Sequence, residues 1–190
     1  VKGSAYGNAF KTAVLEGLQG IYTDDILAGY KQVLDMPVQN DLLGVLGTET
    51  LSNGEYMARL TVKDAQGKVL RRTQKPFTVE NISISSPSNG QVINSNQPVE
   101  FTGTIAGQSL SMYSFSYRVE KGDSFSETGF TYPDNTKPKN NELLATWAPP
   151  ANLPESGSLE VKVTVTFPSP TTGSQTTSTI FSYLYDSTLK

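Results

Sequence analysis

The chain has 190 residues, a formal net charge of −3, 36% hydrophobic and 17% charged residues, and neither histidine nor cysteine. Those two absences remove Ser-His-Asp triads, Cys-His dyads, thiol chemistry, thiolate metal sites and most zinc or iron sites. No apolar run approaches the roughly 18 residues of a membrane span. Charge is neutral over 1–80 and −3 over 81–190, so neither half offers the basic surface that nucleic acid or an anionic membrane needs.

Val1 to Leu15 reads as a strand pair or one long bent strand, broken at Gly7. Ile26, Leu27, Tyr30, Val33 and Leu34 then recur at helical spacing, with Thr23 placed to cap and Asp24-Asp25 in the first turn. That spacing predicts one short helix at about 23–34, although Gly29 lies inside it. Leu42 to Leu46 is a short apolar strand, and Asn53-Gly54 is a turn signal. Tyr56, Ala58, Leu60 and Val62 alternate with Met57, Arg59, Thr61 and Lys63, the pattern of a half-buried strand. Asp64-Ala65-Gln66-Gly67 is a hairpin-type turn leading to strands at Lys68–Thr73 and Phe77–Val79. Phe77 to Ile84 contains no Gly, no Pro and no long polar run. A connection this short predicts a stiff, elongated pair of modules, which scattering data showing broad interdomain freedom would contradict.

The second half opens with Ile82 and Ile84, a turn at Pro87-Ser88-Asn89-Gly90, then Val92-Ile93 and Val99–Phe101, with Pro98 at a strand start. Tyr113, Phe115, Tyr117 and Val119 alternate, as do Leu159, Val161, Val163, Val165 and Phe167. Between them lies a polar insertion at 121–142. Pro168 to Gly173 turns the chain, and Ile180 to Tyr185 closes the module. Trp147, whose counterpart Leu46 is also apolar, reads as core rather than as a ligand platform.

The two halves repeat one another. Val1–Gly7 matches Phe101–Gly107, Leu43–Leu46 matches Leu144–Trp147, and Leu51–Tyr56 matches Leu153–Leu159, with the offset growing from 100 to 103 residues. Short alternating strands and regular turn signals predict two tandem β-sandwiches, at 1–80 and 81–190. The second copy has a preface, Ile82–Pro98, that the first lacks, so the first is expected to lack its opening edge strand. Three readings follow: the strand is lost or dispensable, it lies upstream, or another chain supplies it as in donor-strand assembly.

The pattern Ile-x-Ile-x-x-Pro-x-x-Gly followed by Val-x-Phe-x-Gly-Thr, at Ile82–Gly90 and Val99–Thr104, resembles the opening of bacterial immunoglobulin-like modules. Leu51 to Gly67 resembles the Leu-x-x-Gly-x-Tyr-x-x-x-Leu-x-Val-x-Asp-x-x-Gly hairpin of the same modules. The second half departs from that hairpin, with Glu155–Leu159 where the Gly-x-Tyr belongs. The resemblance implies a sandwich scaffold from a surface protein, an adhesin or the tail of a secreted enzyme, and implies little about ligand.

The remaining chemistry-bearing residues form a short list. Ser187 and Lys190 have Ser-x-x-Lys spacing, but the Ser-Asp-Asn and Lys-Thr-Gly elements of penicillin-recognising enzymes are missing. Asp24, Asp25, Asp123 and Glu127 suit glycoside hydrolysis by residue type only. Asp123, Asp134 and Asn135 offer loop oxygens for calcium, without the alternate-position repeat that would support it. Lys2, Lys11 and Lys162 lie in strand-like stretches where an isopeptide bond to Asn is conceivable. Lys68, Arg71, Arg72 and Lys75 form the one basic cluster and read as a solvated face rather than a phosphate site. Tyr22, Tyr30, Tyr113, Tyr117, Tyr132, Tyr183 and Tyr185 could stack sugars, though most occupy alternating positions that read as core.

The expectation is therefore a non-catalytic, extracellular, bacterial structural or interaction module, without cofactor or metal. It acts as a spacer, or as a subunit of an adhesin, pilus-like or surface-layer assembly. Its partners are proteins, through self-assembly or strand donation to the first module, and not nucleic acid; carbohydrate stays open. The alternative is the accessory module of a secreted or cell-wall enzyme. The absence of cysteine suits either the cytosol or the outside of a bacterial or archaeal cell, and the Ser-, Thr-, Asn- and Gly-rich texture favours the outside.

Overall fold

The computed structural model describes residues 1–20, 24–94, 96–107, 109–119, 121–169 and 172–189. Among them every regular element is a β-strand, and the chain folds as two tandem β-sandwich modules. One unit comprises Val1–Thr48 with Gly54–Val79, the other Glu49–Asn53 with Glu80–Lys190.

In the first unit, β1 (Lys2–Ala5) pairs antiparallel with β4 (Val38–Leu42). β2 (Thr12–Gln19), β3 (Ile26–Leu34), β5 (Gly54–Lys63) and β6 (Val69–Val79) form an antiparallel sheet in the order β3-β2-β5-β6. Ala5, Ala13, Leu15, Leu43 and Val62 make a small core between them. Asp64 accepts from the backbone N–H of Gln66 and Lys68, and Gly67 takes φ +79°, so the β5–β6 hairpin closes where the turn signal stands.

The short helix at about 23–34 is not found: β3 is a strand from Ile26 to Leu34, and Thr23 and Tyr22 lie outside the described residues. Gly29 has φ +80°, which a helix interior does not accept, and β3 pairs with β2 from Ala13↔Leu34 to Glu16↔Lys31 before the register shifts. Cross-strand pairing there overrides a chance helical spacing of apolar residues. The apolar strand expected at Leu42–Leu46 lies earlier, at Val38–Leu42, and 43–48 is irregular. The β5 face carrying Met57, Arg59 and Thr61 is buried, not solvated. Glu16 and Arg59 are opposite one another on β2 and β5 and neutralise each other there, with Nε–Oε2 at 2.9 Å.

In the second unit, β7 (Ile82–Ser86), β9 (Val99–Ile105), β11 (Phe130–Thr131) and β12 (Lys139–Trp147) form one sheet, in the order β11-β12-β9-β7. β8 (Val92–Asn94), β10 (Met112–Arg118), β13 (Ser156–Ser169) and β14 (Gly173–Asp186) form the other, in the order β10-β13-β14-β8. β8 pairs parallel with β14 and every other pairing is antiparallel, the immunoglobulin-like arrangement. Inward residues of both sheets, among them Phe101, Tyr113, Phe115, Trp147, Val163 and Phe167, are almost fully buried. Their rings interlock: Tyr117 and Trp147 centroids lie 4.9 Å apart, Phe101 and Phe115 5.5 Å.

The polar insertion at 121–142 is not a free loop. It carries β11 and the start of β12, and its Phe130 and Tyr132 pack against the core. Two-residue β11 is too short to show any period, so composition alone hid it.

The internal repeat extends to backbone detail. β1 meets β4 as Lys2↔Leu42 and Gly3↔Asp41, and β9 meets β12 as Thr102↔Leu143 and Gly103↔Glu142. Both pairings shift register at a left-handed asparagine, Asn40 (φ 50°) and Asn141 (φ 53°). The backbone N–H of each donates to the hydroxyl of its counterpart residue, Ser4 and Thr104.

Candidate functional site

The repeat makes the second unit a template for the first. β9 has neighbours on both sides, β7 and β12; β1 pairs with β4 alone among the described residues. β14 lies between β13 and β8; β6 pairs with β5 alone. Among the described residues no strand of the first unit takes the positions that β7 and β8 occupy in the second. Two unpaired edges, one in each sheet, face a common groove.

The groove has an apolar floor. Near its Tyr6 end it is a hollow of about 510 Å³, lined by Ser4, Ala5 and Tyr6 of β1 and the residues after it, Leu60 and Val62 of β5, and Leu70, Arg71 and Thr73 of β6. It continues as a hollow of about 240 Å³ between Lys2, Gly3 and Ser4 on one side and Thr73 and Lys75 on the other, over Leu15, Leu43, Ala58 and Leu60. Past Val1 it reaches Val45, Leu46 and Phe77.

Its β6 wall is cationic. Register places Arg71 opposite Val62, Thr73 opposite Leu60, Lys75 opposite Ala58 and Phe77 opposite Tyr56, all facing the core side. The matching β14 positions, opposite Val165, Val163, Val161 and Leu159, hold Thr177, Thr179, Phe181 and Tyr183. The first unit thus has two cations where the second has a threonine and a phenylalanine. Arg71, Arg72, Lys75 and Lys2 are exposed and form no salt bridge among the described residues. The basic cluster is solvent-accessible, as its sequence suggests. What composition alone does not reveal is that Arg71 and Lys75 line a groove. The signal was available: a two-residue period from Val62 and Ala58 across the hairpin puts both on the core side.

Gly3 and Gly103 mark the same place. At Gly103 a Cβ would stand 2.0 Å from the Ser83 carbonyl oxygen of β7, so only glycine lets that strand lie so close. At Gly3 a Cβ would meet nothing nearer than Leu43 Cδ1 at 3.0 Å, a side chain that can yield.

The other sequence candidates have structural roles. Asp24 pairs with Arg59, which also holds Glu16. Burial tends to lower the Arg59 pKa, but the two carboxylates outweigh it and raise it. Asp134 accepts from Thr136 N–H at 3.0 Å and from the Thr136 hydroxyl at 2.8 Å, with Lys137 at 3.2 Å; these contacts hold its carboxyl at about 2. Asn135 donates to the Tyr113 carbonyl, and the Asp123 carbonyl accepts from Arg118. Among the described residues no three of His, Cys, Asp or Glu gather as a metal-holding group. Asp25 and Glu127 are exposed. Lys2 and Lys11 are exposed, and the Lys162 ammonium sits over the Phe125 ring at 4.3 Å. Ser187 donates its N–H to the Glu155 carbonyl at 2.8 Å, and Lys190 lies outside the described residues. Tyr113, Tyr117, Tyr183 and Tyr185 are buried, while Tyr30 and Tyr132 are half-buried. Burial raises the Tyr113 phenol to about 12 and raises that of Tyr183 further. Tyr113, Tyr117, Tyr183 and Tyr185 belong to the second unit's core, and Tyr132 packs against it.

No helix among the described residues is long and apolar enough to cross a membrane. No family model and no curated protein matches the chain. Among solved structures it is similar to human mucin-like protocadherin EC1-2, at 10% identity over 90% of this chain and 83% of that one, with a TM-score of 0.27. It is also similar to the protocadherin GammaB4 extracellular domain, at 15% identity over 97% of this chain and 26% of that one, with a TM-score of 0.24.

Proposed function

We propose that this chain is a non-catalytic, extracellular module of a bacterial cell-surface assembly, acting as a structural spacer and protein-interaction element. The observation that carries the reading is where the chemistry-bearing residues went. Asp24 and Glu16 neutralise Arg59, Asp134 closes its own turn, and Tyr113, Tyr117, Tyr183 and Tyr185 fill a core. Among the described residues two sheet edges, β1 and β6, flank an apolar floor. A sheet edge offers a row of backbone donors and acceptors, suited to another polypeptide rather than to a small substrate. The cysteine-free, Ser- and Thr-rich sequence and the resemblance to bacterial immunoglobulin-like modules support the same location and class.

The test is immunolabelling of intact producing cells with an antibody against this chain, followed by protease shaving. Labelling without permeabilisation, lost on shaving, is expected. Signal that appears only after permeabilisation overturns the reading.

A further inference from the structure

We infer that the 121–142 insertion is a strap that masks the β10 edge of the second unit, and that the edge beneath it otherwise pairs with β10 of a second copy of this chain.

The first unit shows what an unstrapped strand has at this place. β2 is the counterpart of β10, with Leu15 opposite Leu60 as Phe115 is opposite Val163. β2 has β3 on its far side, paired from Ala13 to Leu18. β10 is the last strand of its sheet, and instead of a strand it has the insertion, which reaches it at every second residue. Asn135 meets Tyr113 twice: its carbonyl accepts from the Tyr113 N–H at 2.9 Å, and its side-chain amide donates to the Tyr113 carbonyl at 2.9 Å. The Tyr132 hydroxyl accepts from the Phe115 N–H at 2.8 Å. Ser126 and Tyr117 exchange both backbone hydrogen bonds, each 2.8 Å long. Backbone groups on the two sides of a strand alternate, so Tyr113, Phe115 and Tyr117 are the residues whose groups point away from β13.

The insertion is anchored on both faces of the sheet. Phe125 lies under the Arg118 guanidinium at 4.5 Å and the Lys162 ammonium at 4.3 Å. Phe130 and Tyr132 pack against the core, and the Tyr113 hydroxyl donates to the Asp134 carbonyl at 3.1 Å. Gly122, Gly129, Pro133 and Pro138 interrupt the segment, so it satisfies β10 without offering a ladder to another chain.

The masked strand is suited to itself. Met112–Tyr117 is uncharged, contains neither Gly nor Pro, and alternates aromatic residues with serine, a composition that pairs readily. One register uses every outward backbone group: antiparallel pairing about a two-fold axis at Phe115, with Tyr113 opposite Tyr117 of the second copy. Ser114 then faces Ser116 and Met112 faces Arg118, so no like charges stand opposite one another. Self-complementarity in that register makes a second copy the occupant.

The test opens the strap in the full chain with Ser126→Pro, Tyr132→Phe and Asn135→Ala together, which removes two donors and one acceptor. Sedimentation velocity reads the assembly and amide hydrogen exchange reads β10. The parent is expected to stay monomeric, and the triple variant to dimerise at about 0.1 mM with its β10 amides protected only in the dimer. Adding Met112→Lys, at an exposed position, sets a cation opposite Arg118 at both ends of the pair. It should weaken the dimer at least about fivefold at low salt. Tyr132→Phe alone keeps its ring on the core and serves if the triple variant loses its sheet signal. Its Phe115 amide should exchange about fivefold faster, and unchanged exchange overturns the inference. A triple variant with exposed β10 amides that stays monomeric at about 1 mM overturns it too. So does a parent that dimerises equally, or a dimer that protects another strand and ignores Met112→Lys.

Discussion

The β6 edge of the first unit and the β14 edge of the second are built from one plan and finished differently. On β14, Phe181 and Tyr183 face the core and β8 covers the outer edge. On β6, Lys75 and Phe77 hold the corresponding positions and no described strand covers the edge. The core behind each follows suit. The second unit buries a continuous cluster from Ile82 to Tyr185, whereas the first gathers five buried residues with Phe10, Leu34, Val38, Leu46 and Leu60 packed partly against them. A sandwich with both edge strands closes over aromatic side chains. The first unit's cluster is aliphatic, and Arg71 and Lys75 stand on the core side of β6.

The largest test of that contrast is a matched pair of truncations. Trp147→Ala removes a fully buried ring packed on Tyr117 and Phe130 and is expected to cost about 3–5 kcal/mol. Leu46→Ala, at the counterpart position, removes a partly buried side chain and is expected to cost about 1 kcal/mol or less. Chemical denaturation with amide hydrogen exchange resolved for each unit reads both. Equal losses would mean that the first core is as closed as the second.

The ion pairs sharpen the comparison next. Glu16 on β2 pairs with Arg59 on β5, both nearly buried; Arg118 on β10 pairs with Glu160 on β13, with reversed polarity and more solvent around both. Arg59→Ala strands a buried carboxylate and is expected to cost about 3 kcal/mol. Arg118→Ala leaves Glu160 able to reach water and is expected to cost about 1 kcal/mol. If Arg59→Met restores most of the loss, volume rather than charge holds that face together.

The glycine pair isolates the edge itself. Gly103→Ala drives a methyl into the Ser83 carbonyl and is expected to cost about 1–3 kcal/mol. Gly3→Ala meets only the Leu43 side chain and is expected to change stability by less than about 0.5 kcal/mol. A large loss at Gly3 in the isolated chain would show that the first edge is already closed.

How legible this was depended on period and length. Tyr113–Tyr117 and Leu159–Phe167 alternate strictly, and the structure buries every one of their inward residues because both sheets cover them. The repeat was visible because Gly3 and Gly103 occupy equal steps of two copies, down to the asparagines at 40 and 141. β3 was misread because Ile26, Leu27, Tyr30, Val33 and Leu34 mimic a helical stripe, while pairing with β2 and a left-handed Gly29 decide the conformation. The outer face of β5 read as solvated because Arg59 is charged; its partner Glu16 is 43 residues away, and nothing local announces the pair. Arg71 and Lys75 were seen as basic but not as groove-lining, since a groove is defined by what is missing beside it.

The smallest expected effect is a pH dependence in the second unit. The Asp134 carboxylate accepts from the Thr136 backbone N–H and hydroxyl and lies near Lys137, which lowers its pKa from 3.8 to about 2. A group whose folded pKa is depressed stabilises the fold above its unfolded value, and that contribution is lost as pH falls through the folded one. The second unit should therefore weaken slightly between about pH 4 and pH 2, with Asp134 exposed enough that solvent screens most of the effect. Asp186, held down the same way by Thr188, shifts in the same direction. Carboxyl carbon shifts followed by NMR from pH 5 to pH 1.5 read each group directly. Asp134→Asn should remove its share of the acid sensitivity while keeping the turn, because the amide oxygen still accepts from Thr136. An Asp134 titration centred near 4 would mean that the turn is open in solution and that 121–142 is looser than its strand β11 implies.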